Sequence, residues 1–325
     1  MPADQLAQYQ ARGSIVLGVI ILYAATRLAF TLWTDIDGVW PRRRALAQWF
    51  PICATVVAAL CLNQPGIAVG LIFGSSVACL SLVIGLGSCF GMLTDIPSNS
   101  RVWPLVLPVG LLLLIMGFHG SFTWTHGAML LGLGGAILGV WNERPEAGRL
   151  VPTQEPKNPW RGLLTAAAVV LAIGGGFLAA HGLPGSATRL LTPDIAAAAV
   201  LSPLLLLPAL GAATTVAHRG QMGNVITAVT GTVLLNLCLL LPLVIFVGAG
   251  RALLHHIPLD AAAAATTFPL VVWRVDTVLI VVLSFALIPI AAARWVPERF
   301  ESMLLIGAYV AYLFVKMVFA RVMSM

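Results

Sequence analysis

Long apolar stretches separated by short polar ones set the organisation of this chain. Windows of about 20 apolar residues recur along it, each long enough to cross a hydrocarbon core of roughly 30 Å as a helix. The period-2 alternation of a membrane barrel is absent. The pattern predicts ten spans, over residues 14–33, 45–62, 67–90, 102–117, 123–141, 163–180, 195–217, 225–247, 275–292 and 303–319. One polar interruption is sizeable: residues 142–161, rich in proline and charge, read as a surface linker. Five spans lie on each side of it. Because five is odd, the second half enters the membrane in the opposite orientation, which is the inverted-repeat plan of many secondary transporters. The expected units are a first five-helix repeat over 1–141, a linker over 142–161 and an inverted second repeat over 162–325.

Two stretches carry this symmetry most visibly. Residues 51–79 and 208–236 each read as an apolar helix opened by a proline, a polar break, and a second apolar helix with Gly and Ser or Thr. The breaks are Asn63-Gln64-Pro65-Gly66 and His218-Arg219-Gly220-Gln221. At one constant spacing Pro51 aligns with Pro208, Gln64 with Gln221, Gly66 with Gly223, Gly74 with Gly231 and Ser75 with Thr232. The matches fall on helix-breaking and close-packing residues, which a shared backbone retains while other side chains drift. Gly70/Gly74, Gly87/Gly91, Gly135/Gly139 and the run Gly174-Gly175-Gly176 are expected to mark close helix contacts.

Composition agrees with the pattern. With 59% hydrophobic residues, 9% charged and a mean hydropathy of +0.97, the chain belongs in a lipid bilayer. The formal charge of +6 reflects loop topology and does not call for a nucleic-acid partner. Arg42, Arg43, Arg44, Arg101, Arg144, Arg149, Lys157, Arg161, Arg219, Arg294 and Arg299 fall on one side; Arg12, Arg189, Arg251, Arg274 and Arg321 fall on the other. The first side is expected to be cytoplasmic, which puts both termini outside a bacterial inner membrane and the linker inside. Residues 1–13 are polar and no cleavage site follows, so the first span is expected to be retained. Arg27 and Lys316 lie within spans and are expected to reach the nearer interface. Arg274 and Asp276 read as interfacial anchors or a local pair. The five cysteines form no CxxC and read as small packing residues.

With the motifs in view, the sequence resembles the cation/calcium exchanger superfamily of sodium/calcium antiporters, especially its short bacterial members. That family has ten helices in two inverted halves, with signature repeats on the second and third and on the seventh and eighth helices. Residues 45–79, ALAQWFPICATVVAALCLNQPGIAVGLIFGSSVAC, follow the first repeat without a gap. The second copy keeps the proline, an RGQ and a G-Thr-x-x-x-Asn ending. The segment WRVDTVLIVVLSFALIPIAAARWVPERFESMLLIGAYVAYLF resembles the family's last two helices, and His126 stands where the family usually has Glu.

The resemblance implies a midplane site at which TSxPE segments and SNxx segments supply carboxylates, hydroxyls and amides to Ca²⁺ and Na⁺. Transferred onto this chain, the first TSLPE becomes Gln48-Trp49-Phe50-Pro51-Ile52 and the second Leu205-Leu206-Leu207-Pro208-Ala209. Ile52 and Ala209 therefore stand at the glutamate positions. The candidate pocket is Gln48, Thr55, Ser75, Ser76, Cys79, Thr232 and Asn236. Without a carboxylate, the desolvation of a divalent ion goes unmatched, so ordinary calcium exchange is not expected. Proton coupling would lack its usual intramembrane acid. His255, His256 and Asp260 carry only a weak metal signal, no cofactor is called for, and no hydrolase, nucleotide-binding or other enzyme motif is present.

Two readings follow. The chain is a transporter of the exchanger fold whose substrate has become a monovalent cation or small solute, or it is a transport-inactive structural or regulatory subunit partnering other membrane proteins. The first expects a polar pocket between the hairpins, and the second a core filled by Phe50, Ile52, Leu205 and Leu206.

Overall fold

The structure is a computed structural model that describes residues 3–33, 41–90, 103–118, 122–142, 160–186, 192–220, 222–254, 270–291 and 299–323. Among these residues the secondary structure is helical throughout. Apolar segments have no water to satisfy backbone N–H and C=O groups in a bilayer, and a helix satisfies them internally. The helices are α1 (Ala3–Trp33), α2 (Pro41–Cys61), α3 (Pro65–Phe90), α4 (Val106–Phe118), α5 (Trp124–Asn142), α6 (Arg161–Ser186), α7 (Pro193–Leu205), α8 (Leu207–His218), α9 (Met222–Leu254), α10 (Leu270–Ala291) and α11 (Arg299–Met323). Most of the linker, together with His119, His255, His256 and Asp260, lies outside the described residues, as does the side chain of Arg274.

Proline and polar residues set the breaks. Pro65 and Pro193 open α3 and α7 at positions where the missing N–H costs nothing. Pro208 denies the carbonyl four residues back its partner, and α7 and α8 meet there at 44°. The first hairpin turns at Asn63, whose φ of 60° lies in the left-handed region that asparagine tolerates, and the second turns at Gly220 with φ 74°. Arg251, from the end of α9, holds the first turn by donating to the Leu60 carbonyl and to Asn63 Oδ1.

The core forms around α3, 94% of whose apolar window is buried against 28% for α1 and for α11, which leaves those two as outer helices. α2 packs on α9, and α7 on α3, so each hairpin's second helix is crossed by an element of the other half. α1 and α6 run antiparallel: Gly18 faces Gly175 and Ala179, Gly182 faces Ala11 and Ile15, and Arg161 donates to the Leu32 carbonyl at 2.8 Å.

The glycine expectations divide. A Cβ at Gly70 would meet the Asp194 carbonyl oxygen, and one at Gly74 would stand 2.5 Å from Ala198 Cα, so both mark backbone contact with α7. Gly175 and Gly176 are close-packed too. Gly135, Gly139 and Gly174 instead have nothing within 4 Å; Gly134 makes the contact on α5, with Cys238 of α9. Gly74→Ala should therefore destabilise the protein by about 1–3 kcal/mol through overpacking. Gly135→Ala should be neutral or slightly stabilising, because alanine is the better helix former. Thermal unfolding of the two variants in detergent checks the pair, and equal effects would contradict the packing described here.

Candidate ion site at the crossing of the two hairpins

The helices that cross at the centre are apolar almost throughout, so the few polar side chains they carry have only one another and nearby carbonyls as partners. Thr55, Ser75, Ser76, Ser202, Thr232 and Asn236 are all 0% exposed. Gln48 is 4% exposed, so it is an interior residue and not one wetted at the membrane surface.

Five of the seven candidate pocket residues come together. Asn236 donates from Nδ2 to Ser75 Oγ at 2.9 Å and to Ser76 Oγ at 3.3 Å, joining α9 to α3. Both serine hydroxyls in turn donate to the Ile72 carbonyl, at 3.2 and 2.7 Å. The Thr232 hydroxyl has three acceptors within reach: the Ala228 carbonyl at 2.9 Å, Gln48 Oε1 at 3.1 Å and the Ala45 carbonyl at 3.3 Å. One proton can serve only one of them at a time, so the hydroxyl can turn without losing a partner. Asn236 Oδ1 is buried and accepts no hydrogen bond among the described residues. A buried amide oxygen left unpaired costs about 1–3 kcal/mol.

The other two candidates stand apart. The Thr55 hydroxyl donates to the Pro51 carbonyl of its own helix at 2.8 Å, next to the proline, and thus serves α2 itself. Cys79 is a buried free thiol that begins a π-helical turn, residues Cys79–Val83. Ile52 and Ala209 are 0% and 1% exposed and belong to the apolar core with Leu205 and Leu206, while Phe50 is partly buried against it. The hairpin crossing is thus closed and apolar around a small polar centre. A shallow recess between α5 and α9, at Gly134, Ile137, Leu234 and Cys238, is lined by apolar groups alone.

The site's charge is fixed by sequence. No Asp or Glu occurs in residues 41–90 or 195–254, so the cluster around Asn236 is formally neutral. What it offers is oxygen: hydroxyls, amides and main-chain carbonyls. That donor set suits hard cations, and its neutrality suits monovalent ones.

The comparisons with known proteins agree with this architecture. The family model described as sodium/calcium exchanger protein matches residues 162–318, nearly the whole second half. The second half of the chain is thus similar to the sodium/calcium exchanger family. The chain's fold is that of solved exchangers over almost its full length. The sodium-calcium exchanger NCX_Mj, soaked with Na⁺ and Sr²⁺, matches with a TM-score of 0.61 at 19% identity, over 94% of this chain and 98% of that one. Native YfkE matches with a TM-score of 0.66 at 16% identity, over 98% of this chain and 93% of that one. No curated protein matches the sequence.

The exchanger fold here also holds a second polar centre, which overturns two expectations. Lys316 does not reach an interface: it is 3% exposed, and its Nζ lies 2.7 Å from Asp276 Oδ2. Asp276 therefore pairs across helices with α11 and is no local anchor beside Arg274. It is 2% exposed, so the chain does bury an acid inside its helical core. On α11, Ser302, Tyr309, Tyr312 and Lys316 recur at helical spacing and are all buried. That polar stripe in a membrane helix was the available signal. His126, in the family's Glu position, accepts a hydrogen bond from the Thr123 backbone N–H at 3.2 Å at the start of α5.

Proposed function

We propose that this exchanger-fold protein is a secondary transporter that carries a monovalent cation, with Na⁺ the first choice, through the neutral site formed by Gln48, Ser75, Ser76, Thr232 and Asn236. Asn236 Oδ1 carries the reading: it is a fully buried oxygen, unpaired among the described residues, beside serine hydroxyls and at the contact of the two halves. A cation there would gain the amide oxygen without displacing an existing partner. The hydroxyls can turn their lone pairs inward while their protons stay on the Ile72 and Ala228 carbonyls. Ca²⁺ would have no carboxylate to offset its dehydration at this site, so it should bind far more weakly.

Two inverted five-helix repeats, 1–141 and 162–325 joined by the 142–161 linker, are the architecture we propose for this function, with α7 and α8 as one broken span. Two features support the repeat. The π-helical turn Cys79–Val83 has a counterpart at Asn236–Leu240, at the spacing that aligns Pro51 with Pro208. The two central crossings are also reciprocal: Thr232 reaches the Ala45 carbonyl, and Ser202, which aligns with Ala45 at that spacing, reaches the Leu71 carbonyl at 3.5 Å. Rocking one half against the other would open the cluster to each side in turn. The arginine distribution supports a bacterial inner-membrane orientation with the linker cytoplasmic and both termini outside. Arg44 and Arg219 lie close enough to repel each other at one end, and Arg251 holds the first hairpin turn at the other.

Binding to the folded state raises stability by mass action, by about 2.7 kcal/mol at a hundredfold excess over Kd. Purified protein in choline chloride should therefore gain thermal stability on stepwise replacement with NaCl at constant ionic strength. CaCl₂ at matched ionic strength should give no such gain. A Ca²⁺ response that exceeds the Na⁺ response would overturn the proposed substrate.

A further inference from the structure

A salt bridge that serves only to hold helices together satisfies its remaining lone pairs, because each orphan in a low-dielectric core is costly. The Asp276–Lys316 pair does not. Asp276 Oδ2 holds Lys316, but Oδ1 is buried without a partner among the described residues, and so are the hydroxyls of Tyr312 and Tyr309. The Tyr312 hydroxyl lies beside the carboxylate without reaching hydrogen-bond geometry. Lys316 also has a second resting place, since its Nζ stands 5.4 Å from the centre of the Tyr312 ring.

We propose that Asp276, Lys316 and Tyr312 form a proton-binding centre that sets the cation affinity of the Asn236 cluster, and so makes transport proton-coupled. This rests on the transport reading above. The step is a simple protonation. A proton from water bonds to Asp276 Oδ1, the carboxylate becomes a carboxyl, and its new O–H donates to the Tyr312 oxygen. Lys316 keeps its charge and is held by the Tyr312 ring. The centre passes from net neutral to net positive, and a positive charge in the core disfavours a cation in the neighbouring cluster.

The surroundings confine the effect to few groups. α4 presents no titratable side chain over Val106–Phe118, and α3 contributes only Cys79 and Cys89. On α11 the titratable residues of the buried stripe are Tyr309, Tyr312 and Lys316. Asp194, half-buried at the start of α7, is a second carboxylate within electrostatic reach of Asp276. Arg274 lies two residues from Asp276 on the same helix. A link to the ion site is also in place. α10 and α11 both pack on the π-helical turn Cys79–Val83, and Cys79 is one helical turn from Ser75 and Ser76 on α3.

The test has two arms on the full chain. Infrared difference spectra of reconstituted protein, recorded as the pH is lowered, should show, beside the signal of the eleven other Asp and Glu side chains, a protonated-carboxyl band at the higher frequency of a carboxyl shielded from water. The band should be lost in Asp276→Asn/Lys316→Met, a variant that removes both charges together so that none is left buried alone. Counterflow of ²²Na⁺ in vesicles should show an apparent Na⁺ affinity that falls on the order of 5-fold or more on acidification in the wild type, and stays flat in the double variant. A missing band, or one that persists in the double variant, overturns the proton centre whatever the flux does. A band without pH dependence of Na⁺ affinity overturns the coupling. No counterflow at any pH, with the band present, overturns the transport reading and the coupling with it, while the proton site is judged by the infrared arm alone.

Discussion

Lys316→Met is expected to destabilise the protein by about 3–5 kcal/mol, the usual cost of leaving one partner of a buried ion pair without the other. Asp276 would keep a carboxylate at 2% exposure with both oxygens unpaired, since Oδ1 has no partner among the described residues even in the intact pair. Adding Asp276→Asn should recover most of the loss, because a well-packed neutral pair avoids the desolvation penalty altogether. Unfolding followed by fluorescence of the nine tryptophans, over a double-mutant cycle, measures this. Additive losses, with the double variant worse than either single one, would show that the two side chains do not act as a unit.

Asn236→Leu should reduce apparent affinity for Na⁺ by about 10- to 150-fold, the equivalent of one lost hydrogen-bond-strength contact to a charged group at roughly 1.5–3 kcal/mol. Its stability should change little. Ser75 and Ser76 keep their bonds to the Ile72 carbonyl, and the substitution removes the unpaired Oδ1 together with the Nδ2 donor. Concentration dependence of ²²Na⁺ uptake, set beside unfolding of the same preparation, separates the two effects. A variant that loses stability but not affinity would make Asn236 a packing residue and move the site elsewhere.

Much of this was legible in the sequence because bilayers impose strong rules. Apolar runs and prolines mark the helices, and the breaks fall where Asn63-Gln64-Pro65-Gly66 and His218-Arg219-Gly220 predict them. Gln48, Ser75, Ser76, Thr232 and Asn236 could be named together because so few polar residues interrupt these helices, and because the exchanger motifs laid on the chain fall on or beside them. The sequence misled where only three dimensions decide facing. Gly135 and Gly139 have the spacing of a helix contact, yet a Cβ at either meets nothing within 4 Å among the described residues, because α5 meets α9 through Gly134. Thr55 reads as a pocket hydroxyl, but among the described residues its hydrogen bond goes to the Pro51 carbonyl and to none of the other candidates. Asp276 and Lys316 were the larger miss. Each sits near a predicted span end, where a charge usually reaches water, and 40 residues separate them. Only the packing of α10 on α11 brings them within 2.7 Å.

The central claim is that a neutral oxygen cluster has turned this exchanger fold toward a monovalent cation. Paired uptake of ²²Na⁺ and ⁴⁵Ca²⁺ into proteoliposomes, with wild-type and Asn236→Leu protein and an acidic-site exchanger as positive control, tests it most directly. The account predicts Na⁺ movement that depends on Asn236 and no Ca²⁺ movement above empty vesicles in either direction of the Na⁺ gradient. Gradient-driven Ca²⁺ flux, or folded protein that moves neither ion, would contradict it.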